Sequence, residues 1–235
     1  MGYFAAATKV VQMLLRLAAC LGSVMMPRAS HLIAENRENE FNHLIQKSYD
    51  FTLAISLPIT IGLIFCASSL IMFLCGAKFD SSILPSQIIA PTILMVAISN
   101  VFGIQVLYPK GKINIVTLCC GIGAIADLIL NLCLIPFFSY IGTSIAYLGA
   151  EIATTVSMYF IGRRYIPIIY FKKSHLTYVL GCVVMAFALY GVSLLQLSAL
   201  SILVLQGCCG LLVYFIVLCV CKDEMLVQLL SKIKR

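Results

Sequence analysis

The sequence predicts an all-α integral membrane protein, a polytopic bundle of about seven transmembrane helices. Hydrophobic residues make up 62% of the 235 residues and charged residues only 11%, and the mean hydropathy is +1.05. Because a soluble domain is typically about half apolar and a quarter charged, this composition cannot cover a water-exposed surface. The apolar segments are continuous rather than alternating, which favours helices over the strands of a membrane barrel.

Seven apolar segments are long enough to cross a bilayer, since each helical crossing needs about 20 residues. Charged and turn residues bound these segments, which lie at 5–26, 49–75, 84–108, 112–136, 141–161, 174–195 and 198–221. Pro58 and Pro91 fall inside the second and third segments. Each proline removes a backbone hydrogen bond and can kink its helix.

The distribution of Lys and Arg predicts the topology. Thirteen of them fall in one set of alternate loops and in the tail, whereas the other set of loops holds only Lys78. The thirteen are Arg28, Arg37, Lys47, Lys110, Lys112, Arg163, Arg164, Lys172, Lys173, Lys222, Lys232, Lys234 and Arg235. The positive-inside rule therefore places the 27–48 loop and the C-terminus in the cytoplasm. Since these residues form no basic patch interleaved with aromatics, nucleic acid is not an expected partner.

Seven crossings with a cytoplasmic C-terminus place the N-terminus outside, yet residues 1–7 carry no cleavable signal pattern. We therefore expect an upstream half with its own spans. The 27–48 loop mixes Leu32, Ile33 and Phe41 with charged residues. It is either a short amphipathic helix at the interface or a solvated connector.

A cationic stripe runs along the first span. Lys9, Gln12, Arg16 and Ser23 share one helical face, because steps of three, four and seven residues bring side chains together. A charge at mid-bilayer costs roughly 3 kcal/mol, so such residues usually face a bundle interior or an aqueous cavity. Lys9 and Arg16 thus predict a cavity wall that attracts an anionic substrate group such as a pyrophosphate. Alternatively, Lys9 reaches the outer surface and Arg16 pairs with an acidic neighbour.

Two carboxylates lie within later spans. Gly123, Asp127 and Asn131 recur at steps of four in the fourth span, and Glu151 lies in the fifth. Asp127 and Glu151 either bind a coupling cation or proton or act as structural partners of Arg16, with Asn131 contributing to the same polar lumen.

Asn100, in the third span, shares a side with Gly103. It either joins helices by hydrogen bonding or contributes to the substrate cavity.

The sequence carries no catalytic or metal-ligating constellation. His31, His43 and His175 are all predicted at the cytoplasmic surface, and no HExxH motif, Ser/His/Asp set or phosphate loop is present. The loops are also too short to build an enzyme site. A transporter without cofactor or metal is therefore predicted.

Several short motifs carry a family resemblance. They are Met-Pro-Arg-Ala-Ser at 26–30, Leu-Pro-Ile-Thr-Ile-Gly-Leu at 57–63, Gly-Ala-Lys-Phe at 76–79, Asn100, Gly103, Gln105, Pro109, Asn-Leu-Cys-Leu-Ile-Pro at 131–136, Gly-Thr-Ser-Ile-Ala at 142–146 and Glu151. In this order and spacing they resemble the Wzx-type oligosaccharide flippases of the multidrug/oligosaccharidyl-lipid/polysaccharide exporter superfamily. The likeness covers residues 10–165. One departure is Phe-Ser-Tyr at 138–140, where that family often has a glycine before the turn.

The resemblance implies a MATE-like fold of two pseudo-symmetric six-helix lobes around a central cavity, often with two further helices. Residues 1–165 would then be five spans of the C-terminal transport lobe, and 166–235 the two additional helices with a cytoplasmic tail. Such proteins move undecaprenyl-pyrophosphate-linked sugar repeat units across the bacterial cytoplasmic membrane by alternating access. The implied partners are the lipid-linked oligosaccharide, membrane lipids, the missing N-terminal lobe and polysaccharide polymerase machinery.

Other functions stay open at this point. A drug exporter of the same superfamily would favour acidic lumen residues, which the basic stripe argues against. A peptidoglycan-precursor flippase also handles a lipid pyrophosphate. From other classes, the chain could be a membrane-embedded sugar polymerase or acyltransferase, or a non-transporting fragment that pairs with other subunits.

Overall fold

The computed structural model describes residues 2–170, 172–195 and 199–221, without the side chains of 17–24, 77, 173 and 199. All regular structure in these ranges is helical, which confirms the predicted all-α class. The elements are α1 Gly2–Ala34, α2 Glu38–Cys75, a 3-10 helix Ala77–Ser82, α3 Ile83–Ile89, α4 Thr92–Asn100, a π-helical segment Val101–Leu107, α5 Ile113–Gly162, α6 Lys173–Ser193 and α7 Ala199–Val220.

Four helices of the described chain are long and apolar enough to cross a membrane: Glu38–Cys75, Ile113–Gly162, Ser174–Ser193 and Leu200–Val220. The bent pair Lys78–Ile89 and Thr92–Leu107 makes a fifth if it is counted as one span. The helix α1, with 33 residues, exceeds the length of about 20 that a crossing needs. The count of seven crossings stays a prediction, since four described helices, or five with the bent pair, are long and apolar enough.

The helix α5 divides at Ser139, which adopts φ 50 and ψ −124. This backbone conformation favours glycine, and Ser139 occupies the turn where the resembling flippases often have one. The parts on either side, the first arm (residues 113–138) and the second arm (residues 140–162), were predicted as separate spans at 112–136 and 141–161.

The two arms of α5 pack as an antiparallel pair. A Cβ placed on Gly142 would lie 2.6 Å from the Leu134 carbonyl oxygen, and one on Gly149 would lie 2.5 Å from Leu130 Cδ1. In each of these two pairs, the residues lie on opposite arms at similar distances in sequence from Ser139. The glycines therefore let the arms approach closely, as small residues do between membrane helices.

The first two helices are longer than predicted. The helix α1 continues past Pro27 to Ala34 and ends where Asn36 takes a φ of 58, and α2 begins at Glu38. The predicted 27–48 loop is therefore wrong, because only 35–37 separate the helices. The extension is stabilised by burial: Phe41 at the start of α2 is fully buried in the same cluster as Ala29.

The third span is broken at its proline. The helix α3 ends at Ile89, Pro91 caps α4, and the two halves bend by 43°. This confirms that Pro91 lies at a kink. The sequence did not predict the π-helical segment that follows, in which the amide of Tyr108 donates to the Gly103 carbonyl at 2.9 Å.

The alternate loops lie at opposite ends of the bundle. At one end, Lys110 Nζ donates to the Tyr165 carbonyl at 3.0 Å and lies 5.0 Å from the centre of the Phe41 ring. Burial lowers the pKa of Lys110, which Glu38 partly opposes. At the other end, the ring of Tyr3 packs against Phe79 and Tyr140. We call the end of the bundle that carries Lys110 the basic end. That it faces the cytoplasm stays a prediction, and tail residues 222–235 lie outside the described ranges.

The helices α6 and α7 pack on each other and on α2. The Tyr214 hydroxyl of α7 donates to the Ala54 carbonyl of α2 at 2.9 Å. The methyl group of Met185 in α6 would touch a Cβ on Gly62 of α2 at 3.3 Å. The packing of α6 and α7 on α2 is compatible with the predicted division of the chain near residue 165. That division stays a prediction.

Gly123→Leu is expected to destabilise the protein by about 1–3 kcal/mol, the usual cost of overpacking. A side chain there would collide with Thr154 and would lie within 3.2 Å of the Ala150 carbonyl. The matched control is Gly121→Leu on the same arm, where no atom lies within 4 Å of the added Cβ. Thermal unfolding in detergent measures both variants, and equal melting temperatures would contradict the packing of the arms.

Candidate functional site

A cavity of about 480 Å³ lies between the two arms of α5, α4 and the π-helical segment. We call it the carboxylate cavity. Its polar lining residues are Ser99, Asn100, Tyr108, Asp127, Tyr147, Glu151 and Thr154. Three residues that the sequence predicted in separate spans, Asn100, Asp127 and Glu151, are thus brought to one place.

The close packing of the α5 arms positions the carboxylates. Asp127 is on the first arm and Glu151 on the second, and Gly123 allows the arms to meet at Thr154 one turn away. Asn100 is the last residue of α4. The π-helical segment that follows presents Gly103 to the same cavity, so the predicted common side of Asn100 and Gly103 is confirmed.

The carboxylate cavity has the chemistry of a cation or proton site. Asp127 and Glu151 form no ion pair with any described residue. Two carboxylates that line one cavity repel each other when both are ionised, and a bound proton or cation relieves that repulsion. The described residues contain no group of three or more His, Cys, Asp and Glu that could hold a metal ion.

Asn131 lies one turn beyond Asp127 and is not among the residues that line the carboxylate cavity. Its Nδ2 donates to the Asp127 carbonyl oxygen at 2.9 Å. Its Oδ1 is buried without a hydrogen-bond partner in the described structure. An unpaired buried oxygen costs about 1–3 kcal/mol, so Asn131 adds an unsatisfied polar group next to Asp127.

The cationic stripe of α1 lies elsewhere. Lys9, Gln12 and Arg16 are exposed on one face, whereas Ala7 and Val11 on another face are buried. No ion pair joins Arg16 to Asp127 or Glu151 within the described chain, so the alternative of a structural pair between them is not observed. Ser23, the fourth predicted member, has no described side chain.

Lys9 lines a second cavity of about 660 Å³ with an apolar wall. Gly2, Ala5 and Ala6 of α1 form one side, and Leu74 and Phe79 belong to the other. Asn100, predicted with Lys9 and Arg16 as a substrate residue, is separated from both and lines the carboxylate cavity instead. The predicted residues thus divide into an exposed cationic surface and an acidic cavity.

Sequence reasoning missed a buried polar cluster at the basic end, formed by Gln46, Asp50, Lys172 and His175. We call it the Asp50 cluster. The Asp50 carboxylate is reached by Gln46 Nε2 at 2.7 Å, Lys172 Nζ at 2.9 Å and His175 Nε2 at 3.0 Å. The side chain of His175 is only 13% exposed, so it is packed within the basic end, and its predicted place at the cytoplasmic surface stays a prediction. The only sequence signal was an acidic residue at a span edge, and two of its partners, Lys172 and His175, lie more than 120 residues away.

A profile of the lipid II flippase MurJ family matches residues 2–214 of the chain. The fold resembles a solved structure of lipid II flippase MurJ in its inward closed conformation, with a TM-score of 0.79 and 18% identity. This likeness covers 96% of the present chain and 48% of the MurJ chain, so the chain spans about half of that protein.

Two curated proteins are similar in sequence. An uncharacterized membrane protein of Methanocaldococcus jannaschii is 29% identical over 155 residues, 66% of this chain and 29% of that protein. The "Putative O-antigen transporter" of Escherichia coli is 28% identical over 160 residues, 67% of this chain and 38% of that protein. The family profile, the MurJ structure and the Escherichia coli relative together confirm the resemblance to flippases. The chain belongs to the lipid II flippase MurJ family.

Proposed function

We propose that this chain is a transport lobe of a flippase that moves a lipid-linked pyrophosphate saccharide across the bacterial cytoplasmic membrane. The observation that carries the proposal is the exposed stripe of Lys9, Gln12 and Arg16 on a helix of spanning length. A guanidinium is costly in hydrocarbon, so this face requires a polar neighbour. Among the described residues, no acidic side chain forms an ion pair with Lys9 or Arg16.

A second lobe is the neighbour that we propose. The chain spans 48% of the MurJ chain that it resembles, and an upstream lobe would enclose the stripe in a shared aqueous cavity. Arg16 and Lys9 would attract the pyrophosphate, because a planar guanidinium binds two phosphate oxygens at once. Alternating access of the two lobes would then carry the head group across.

The carboxylate cavity would couple transport to an ion. Asp127 and Glu151, with Asn100 beside them, form an acidic cavity that repels an anionic substrate and attracts a cation or proton. Asn131 would support the first arm next to it through the Asp127 carbonyl. This division of roles separates the substrate residues on α1 from the coupling residues on α4 and α5.

Two substrate classes have specific support. An undecaprenyl-pyrophosphate-linked oligosaccharide, for O-antigen, capsule or exopolysaccharide, agrees with the motif resemblance and the Escherichia coli relative. A peptidoglycan precursor agrees with the family profile. Both contain a pyrophosphate, so the proposed role of Arg16 is the same for either. Polysaccharide polymerase machinery would be a partner only in the first case.

A drug exporter, a sugar polymerase and an acyltransferase have less support. Cationic drugs would be repelled by the stripe on α1, and the family indicates transport rather than catalysis. For the orientation, we propose that the basic end faces the cytoplasm, as the positive-inside rule predicts.

Arg16→Ala is expected to reduce transport at least about tenfold, since hydrogen bonds to charged groups contribute about 1.5–3 kcal/mol. The gene, with its natural flanking sequence, is expressed in two strains, one that lacks an O-antigen flippase and one that lacks a lipid II flippase. The strain that it rescues identifies the substrate class. Membrane abundance should not change, because Arg16 is exposed. The matched control is Arg28→Ala, an exposed arginine nearer the basic end of the same helix. Full rescue by Arg16→Ala would contradict its role.

Asp127→Asn combined with Glu151→Gln is expected to abolish the response of transport to an imposed sodium or proton gradient. The two amides leave no carboxylate in the cavity to bind the ion. Flipping of a lipid pyrophosphate in proteoliposomes measures the effect. Asp80→Asn, at an exposed carboxylate outside the cavity, should behave like the unsubstituted protein. A gradient response that survives in the double variant would refute the coupling role.

A further inference from the structure

The Asp50 cluster holds His175 between two oxygen acceptors. His175 Nδ1 lies 2.7 Å from the Tyr170 carbonyl oxygen, and Nε2 lies 3.0 Å from Asp50 Oδ1. A carbonyl oxygen only accepts hydrogen bonds, so Nδ1 must carry a hydrogen. The contact between Nε2 and Asp50 Oδ1 requires one proton between the two atoms, and the Lys172 ammonium at Oδ2 favours the ionised carboxylate. Nε2 therefore carries a hydrogen too, and His175 is an imidazolium in this arrangement.

The cluster joins parts of the chain that are distant in sequence. Asp50 and Gln46 belong to α2, Lys172 to the extended segment before α6, and His175 to the first turn of α6. Gln46 also holds the extended segment directly, because its Oε1 accepts from the Ile169 amide at 2.8 Å. The cluster thus fixes the end of α6 that leads into the segment 163–170.

We propose that the Asp50 cluster is a proton-binding site, and that the proton on His175 fastens α6 and residues 163–170 to α2. This inference rests on the donors and acceptors around His175 and is independent of the substrate and of the carboxylate cavity.

Loss of the proton removes one of the two contacts of His175. A neutral imidazole has a single N–H, so either Asp50 or the Tyr170 carbonyl then faces a nitrogen lone pair. Lys172 remains beside Asp50, so the buried carboxylate keeps a cationic partner. Deprotonation therefore loosens the segment without leaving an unpaired charge, which would be far more costly.

The other groups around His175 do not replace it as the proton acceptor. The rings of Tyr49 and Tyr178 lie 5.7 and 6.1 Å from the imidazole, and Lys172 and Asp50 are already paired. Burial raises the pKa of Tyr170 to about 12, so this phenol stays neutral at physiological pH. Histidine is the side chain that ordinarily changes charge between about pH 5 and 8. The fastened state is thus favoured as pH falls and is weakened as pH rises.

Hydrogen–deuterium exchange of the whole chain in nanodiscs tests the proposal. The Ile169 amide is the reporter, since it donates to Gln46. After correction for intrinsic exchange, its protection is expected to fall about tenfold from acidic to alkaline pH, the effect of losing one charge-assisted hydrogen bond. His175→Gln, which cannot titrate, should show low protection at every pH. His43→Gln, at an exposed histidine of α2, should keep the full pH response.

Unchanged Ile169 protection across the pH range in the unsubstituted chain would overturn the proposal, and so would a normal pH response in His175→Gln. If His175→Gln does not accumulate in the membrane, the unsubstituted chain and the His43→Gln control decide the question by themselves.

Discussion

The cost of an unsatisfied polar or charged group in hydrocarbon governs this structure. It requires the backbone to form helices, since a bilayer offers no water to peptide groups. It also restricts where ionisable side chains can lie. Asp127 and Glu151 share a cavity, Asp50 is surrounded by three donors, and Lys9 and Arg16 lie on an uncovered face. The cost of the charge is reduced in a different way at each of these locations, and each location suggests a different role.

Close helix packing links the fold to its acidic cavity. The α5 arms pack through Gly123, Gly142 and Gly149, and this contact sets Asp127 and Glu151 on one cavity. The bend at Pro91 and the π-helical segment that ends the same span bring Asn100 to the cavity from the other side. Irregular turns of this kind are frequent at functional sites of membrane helices. The backbone irregularities therefore lie where the polar residues converge.

Much of the fold could be predicted because membrane helices leave a local signal. Apolar length located the spans, the alternation of basic loops separated the two ends, and Pro91 marked a bend. The ends of α1 and α2 were misplaced because burial of Phe41 extends the helices beyond the apolar segments. The His175–Asp50 contact, across 125 residues, has no local signature. Helical periodicity also could not predict that Arg16 lies away from both carboxylates, because this position depends on tertiary packing.

The central claim is that the exposed face of α1 borders water rather than lipid. Labelling of Gln12→Cys with a water-soluble maleimide in membranes tests it most directly, because Gln12 lies between Lys9 and Arg16 on that face. Leu132→Cys, at a 69% exposed position on the apolar first arm of α5, is the matched control. Fragment-ion sequencing of the labelled peptides distinguishes both positions from the native cysteines, including Cys133 next to position 132. Rapid labelling at position 12 and none at position 132 is expected, whereas equal resistance at both would place the stripe in lipid and contradict the transport lobe.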